Sequence, residues 1–154
     1  MGTMDIDENA PVITRDEILI DAPLSTVWDL HTDISSWSQW LPDIDSSTIE
    51  GALEAGTVFH WQTFGLSIES TIREIEPPRR IVWSGPAQDI MAVHLWTMTP
   101  SENGVLVHTE ESWDGEPVRA QPEEMQRALD DSLRGWLQNL GPFGSDSDLR
   151  CHRQ

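Results

Sequence analysis

The stretch AVHLWTMTP, residues 92–100, sets one ionisable side chain, His94, inside an apolar run. Side chains alternate between the faces of a strand. His94 therefore shares a face with Ala92, Trp96 and Met98, while Val93, Leu95 and Thr97 take the other. The next run carries Val105, Val107, Thr109 and Glu111 at the same two-residue period. With a turn at PSENG, residues 100–104, Met98 pairs with Val105, Trp96 with Val107 and His94 with Thr109. Glu111, opposite Ala92, then lies diagonal to His94 on the same face. An imidazole beside a carboxylate on an apolar face can serve as a general acid–base couple, with His94 exchanging the proton and Glu111 as its partner. The same contact can instead satisfy two buried polar groups and hold strand register without chemistry, and the sequence leaves both readings open. A bulge in the second strand would send Glu110 inward in place of Glu111.

The remaining inventory narrows the chemistry. The chain has no lysine, which excludes a protein Schiff base, and no tyrosine to act as acid or oxyanion donor. Cys151 is the only cysteine, so an internal disulfide and a cysteine metal cluster are both excluded. Glycines are scattered singly at turns, unlike a phosphate loop, and the Ser and His of HTEESW form no nucleophile–base–orienter set. Neither a metal nor an organic cofactor is expected. There are 27 acidic residues against 9 bases, all arginine, for a formal net charge of −18. That balance argues against nucleic acid and anionic membrane surfaces as partners. No apolar run approaches the ~18 residues of a membrane span. The acidic opening MGTMDIDENAP lacks the apolar core of a signal peptide, and Ile6 departs from a myristoylation signal. The expected compartment is the cytoplasm.

Eight tryptophans are many for 154 residues. Trp61 and Trp83 alternate with Phe59 and Ile81 and are expected to face the same interior as Trp96, with Trp136 opposite them. The expected ligand-binding wall comprises Phe59, Trp61, Trp83, Trp96, Met98 and Thr109 from strands, and Met125, Leu129, Leu133 and Trp136 from a helix. Ring-lined concavities with few polar groups are characteristic small-molecule sites. Trp28, Trp37 and Trp40 are expected in the core or at the cavity rim. His60 and His108 fall on the outward parity, and Arg73 is expected to pair with surface acids. His31, three residues after Trp28 on a helix, either approaches the cavity mouth or simply caps or packs.

These side chains must be positioned by a recognisable series of elements. VITRDEILI (12–20) reads as a first strand, followed by the helical PLSTVWDLHT (23–32) and a second short helix, ISSWSQWL, capped by Asp33 and ended by Pro42. Six strands follow in an antiparallel meander: DIDSSTIEG, TVFHWQTF, LSIESTIREIE, RRIVWSG, IMAVHLWTMTP and VLVHTEESW. From Gln121 the period changes, and Met125, Leu129, Leu133, Trp136 and Leu140 mark one face of a long helix stopped by Gly141-Pro142. The predicted architecture is a single α+β domain, residues 12–142, in which a curved antiparallel sheet of about seven strands wraps a long C-terminal helix. Residues 1–11 are expected to form a flexible acidic arm and 143–154 a flexible tail.

IDAPLSTVWDLHTDISSWSQWLPDI resembles the N-terminal signature of the START/birch-allergen-like (SRPBCC) superfamily, and GTVFHWQTFGLSIESTIREIEPPRRIVWSG, AVHLWTMTP and TEESWDG are similar to its polyketide cyclase/dehydrase branch. The resemblance spans residues 12–141 and implies a helix-grip fold with a hydrophobic cavity between sheet and helix. It implies either a cofactor-independent cyclase or dehydratase, or a non-catalytic carrier or sensor of a hydrophobic ligand. A chaperone-binding activator that uses the outer surface is a third possibility. The superfamily shares no universal catalytic residue, and the lack of tyrosine departs from cyclases with phenols in the pocket. The expected partner is an aromatic or polycyclic small molecule, bound by a monomer or a homodimer.

Overall fold

The structure, a computed structural model, describes residues 5–153, with side chains through residue 141. Seven antiparallel strands form one sheet: β1 (Val12–Ile20), β2 (Ile44–Ile49), β3 (Val58–Thr63), β4 (Leu66–Glu76), β5 (Arg80–Ala87), β6 (Ile90–Ser101) and β7 (Gly104–Asp114). Their spatial order is β1-β7-β6-β5-β4-β3-β2. The short turns make β2 to β7 a meander, and β1 returns to pair with β7. Helix α1 (Leu24–Thr32) and a 3₁₀ helix (Ile34–Gln39) cross from one sheet edge to the other. The expected helix through Leu41 is thus a short 3₁₀ segment, and Asp33 supplies no side-chain cap. The segment is tied by tertiary bonds instead: Trp37 Nε1 donates to the carbonyl of His31 at 2.8 Å, and Ser47 Oγ donates to that of Ile34. A short helix α2 (Glu116–Ala120), absent from the sequence reading, buries Val118.

Helix α3 (Pro122–Arg153) packs across the inner face, burying Leu129, Leu133, Trp136, Leu137 and Leu140, with Met125 half-buried. The backbone continues helically past Gly141-Pro142, where the sequence predicts a stop. Proline inside a helix removes one backbone bond and can kink the helix rather than end it. Close to the other end, Thr14 Oγ1 donates to Asp130 Oδ1 at 2.6 Å, and Gln126 Nε2 donates to Ile13 O at 2.8 Å and Thr14 Oγ1 at 2.9 Å. This polar clamp fixes α3 against β1.

The β6–β7 hairpin is tighter than PSENG suggests. Ser101 pairs with Gly104, leaving only Glu102 and Asn103 in the turn. Gly104 has φ +131°, and a Cβ there would lie 2.0 Å from the Ile20 carbonyl oxygen, so only glycine closes this corner. The expected pairing is therefore corrected by two residues: Met98 opposes Val107, Trp96 opposes Thr109 and His94 opposes Glu111 directly. A two-residue slip preserves which face each side chain takes.

The outer face carries a second, smaller apolar cluster of Val82, Val93 and Leu95, covered by Ile6 and flanked by Ile13. Asp7 N–H donates to Ser112 Oγ at 2.9 Å, and Arg15 pairs with Glu8 at 2.7 Å. Within the expected flexible arm, residues 5–11 thus lie on the sheet with Ile6 buried, because an isoleucine beside an uncovered apolar patch gains by covering it. Residues 1–4 lie outside the described residues, as do the side chains of the expected tail.

Candidate functional site

A single cross-sheet row carries Thr14 of β1, Glu111 of β7, His94 of β6, Trp83 of β5 and Ile72 of β4. All five point to the face covered by α3. At its centre His94 Nδ1 lies 2.9 Å from Glu111 Oε1. The other carboxylate oxygen, Oε2, accepts from Trp113 Nε1 at 2.6 Å. His94 is 8% exposed and Glu111 5%. The imidazole stacks on Trp83, with centroids 5.1 Å apart and planes at 22°, and meets Trp61 edge-on at 6.0 Å. With its proton on Nδ1, the nitrogen that faces the carboxylate, the neutral ring keeps Nε2 as an acceptor. No hydrogen bond among the described residues engages that nitrogen. An imidazole oriented through one nitrogen and open at the other can accept and return a proton.

Glu110 takes the outward side, where it meets His108 Nε2 at 2.7 Å and Arg15 Nε at 3.3 Å. His108 is thus outward, like His60, which pairs with Glu69 at 3.2 Å. Thr109 does not meet His94: its buried hydroxyl donates to Leu95 O at 2.9 Å. Arg73, expected to pair with acids, donates from Nε to Ser84 Oγ at 2.8 Å, at a bulge between Ile72 and Glu74.

The structure brings together Phe59, Trp61, Trp83, Trp96, Met98, Leu129, Leu133 and Trp136 as expected, all buried, with Met125 at the margin. Their rings interlock. Trp37, expected in the core or at the rim, is the hub, with centroids 5.6 Å from Phe59, 5.6 Å from Trp61, 5.5 Å from Trp83 and 5.0 Å from Trp136. Its place depends on the crossing of the 3₁₀ segment under the sheet, which helical spacing cannot convey. His31 is likewise at the bottom of the core rather than at its mouth: it is fully buried, and its ring centroid is 4.4 Å from that of Trp96. Burial pushes its pKa down to about 3, so the ring stays neutral at physiological pH.

Two open clefts lie elsewhere. One of about 600 Å³ lies between the residue 21–23 corner and the β6–β7 turn, and one of about 400 Å³ surrounds His60 and Trp61 at the β2–β4 edge. Neither is lined by His94 or Glu111. Among the described residues no group of three or more His, Cys, Asp or Glu is arranged to hold a metal ion. Among the described residues no helix is long and apolar enough to cross a membrane.

A hypothetical protein of Helicobacter pylori superposes with a TM-score of 0.79 at 22% identity, covering 94% of this chain and 99% of that one. The di-domain ARO/CYC StfQ from the steffimycin biosynthetic pathway gives a TM-score of 0.75 at 13% identity, covering 89% of this chain and 51% of that one. The di-domain ARO/CYC BexL from the BE-7585A pathway gives 0.69 at 18% identity, covering 90% and 50%. These likenesses show a shared helix-grip fold. No curated protein sequence matches the chain. The family model described as polyketide cyclase / dehydrase and lipid transport matches residues 11–141. With that match over most of its length, the chain belongs to this family, within the SRPBCC superfamily.

Proposed function

We propose that this protein binds an aromatic or polycyclic small molecule between the sheet and α3, and acts on it as a cofactor-independent cyclase or dehydratase. The observation that carries the reading is the His94–Glu111 pair, 2.9 Å apart, buried among tryptophan rings with His94 Nε2 left open. In a chain of alternating carbonyls, the bare Nε2 takes a proton from a carbon flanked by two carbonyls. The resulting enolate closes on a further carbonyl, and the imidazolium returns its proton to the alkoxide that forms; in a second cycle Nε2 takes the remaining proton of the same carbon and hands it to the departing hydroxide, which leaves as water. Glu111 holds the ring in the required tautomer and opposes the positive charge that forms on it. The tryptophans hold the chain folded, and that positioning supplies much of the barrier reduction for ring closure.

The test is incubation with short synthetic poly-β-ketone thioesters followed by mass spectrometry and chromatography. A dehydrated or cyclised product is expected. His94→Gln, still folded, should retain binding and lose turnover by ~10²–10⁴-fold, the usual worth of a general acid–base group. Quantitative recovery of unchanged ligand after saturable binding would instead identify a carrier. Normal turnover in His94→Gln would leave the histidine a structural residue.

A further inference from the structure

Among the described residues, a group of buried rings beyond the His94–Glu111 pair carries polar atoms that no other described group satisfies. Both ring nitrogens of His31, and Nε1 of Trp83 and of Trp96, are buried and have no hydrogen-bond partner among the described residues. They belong to one place. The His31 ring centroid lies 4.4 Å from Trp96 and 5.9 Å from Trp83. His31 and Trp83 are 0% exposed and Trp96 1%. Other core tryptophans are treated differently: Trp37 donates to the His31 carbonyl, and Trp61 donates to Ser70 Oγ at 3.1 Å. Native interiors leave few such groups unpaired, and each costs about 1–3 kcal/mol when it is. The rings of Trp83 and Trp96 thus both adjoin His31, and each of the three carries an N–H donor that no described group satisfies.

We infer that His31, Trp83 and Trp96 form an oxygen-accepting subsite at the inner end of the ligand space, which receives a carbonyl or phenolic oxygen of an aromatic ligand. The chemistry of the donors selects the ligand. Indole nitrogens donate only, and an imidazole held neutral donates through one nitrogen, so the cluster calls for an acceptor rather than a cation. An anion such as a carboxylate would bring an uncompensated charge into an apolar core, whereas a ketone or phenol brings none. Trp83 connects the two parts of the interior: one side of its ring system stacks on His94 at 5.1 Å, and it also contacts His31. A fused-ring ligand whose oxygen is held by His31 thus presents its remaining atoms toward the His94–Glu111 pair. This inference rests on the reading that the interior takes an apolar ligand, and it names that ligand's class as oxygen-bearing aromatics.

The experiment compares 9-fluorenone with fluorene, which has the same ring skeleton and no oxygen, by tryptophan fluorescence and by ¹⁵N NMR of the indole and imidazole groups. The expected result is tighter binding of fluorenone than of fluorene by about tenfold, the upper worth of one neutral hydrogen bond. The indole N–H resonances of Trp83 and Trp96 should move downfield with the ketone only. His31→Phe keeps an aromatic ring but removes the donor, and should abolish most of the preference, read as the ratio of the two affinities within the variant. If that variant fails to fold, Trp96→Phe in the otherwise native chain reports the same preference through a second donor. Equal affinities for the two probes, with both bound inside, overturn the subsite and leave interior binding standing. Failure of both probes to bind the native protein overturns the ligand reading and the subsite with it.

Discussion

A neutral imidazole at the centre of a core has a definite signature in solution. Burial holds His31 at a pKa of about 3 in the folded protein, against about 6.5 in an unfolded chain. Between those values the unfolded state binds a proton that the native state refuses. Stability from this group is therefore unaffected above about pH 6.5 and falls as the pH drops toward 3, by on the order of 4–5 kcal/mol in full. His31→Phe should flatten that dependence. The difference in unfolding free energy between pH 7 and pH 4.5 should shrink by about 2–3 kcal/mol relative to the native protein, as read by urea denaturation at the two pH values. Parallel profiles would mean that His31 is protonated or solvated in the native state. His94 differs: its Nδ1 lies against a carboxylate, while both nitrogens of His31 have no hydrogen-bond partner among the described residues.

At the scale of elements, α3 is the part on which the interior depends. Its apolar stripe meets the sheet through Leu129, Leu133 and Trp136, and its polar clamp to Thr14 sets the approach beside the His94–Glu111 row. Trp136 contacts Trp37 at 5.0 Å, Trp96 at 5.4 Å and His31 at 5.9 Å, so its ring is packed against three others. Trp136→Ala should cost about 3–5 kcal/mol, the range for a large aromatic removed from a packed core, measured as a shift in urea midpoint at unchanged slope. A loss under about 1 kcal/mol would show that the ring lines open space in solution. The helical stripe was legible from spacing alone, since leucines and a tryptophan three and four apart admit one buried face. Leu137, also buried, sits beside Trp136 on the flank of that stripe.

For the whole molecule the dominant quantity is the net charge of −18. Several of the arginines are committed to particular acids, among them Arg15 to Glu8 and Glu110, Arg119 to Asp114 and Arg134 to Asp16. The uncompensated acids repel one another over distances comparable to the Debye length, ~10 Å at 0.1 M salt. Sodium chloride should therefore stabilise the fold, because screening relieves more repulsion than it costs in surface ion pairs. Raising it from 10 mM to 0.5 M should add on the order of 1 kcal/mol, or about 2–4 °C in Tm. A Tm that falls with salt would mean that the arginine pairs outweigh the collective repulsion.

Local periodicity was enough to put His94 and Glu111 on one face, to assign the seven strands and to find the buried stripe of α3. A period of two survives a two-residue slip, which is why the inward direction of Glu111 was right although its partner was misplaced. Register, depth and docking had no such local mark. The β6–β7 pairing was set by how closely Gly104 lets the hairpin approach Ile20. The burial of His31 and the central place of Trp37 came from the crossing of α1 and the 3₁₀ segment beneath the sheet. The docking of Ile6 depended on an apolar patch assembled from β5 and β6, some 75 or more residues away in the chain. Each of these rests on contacts between segments distant in sequence, and their free energy appears only when the chain has brought both sides together.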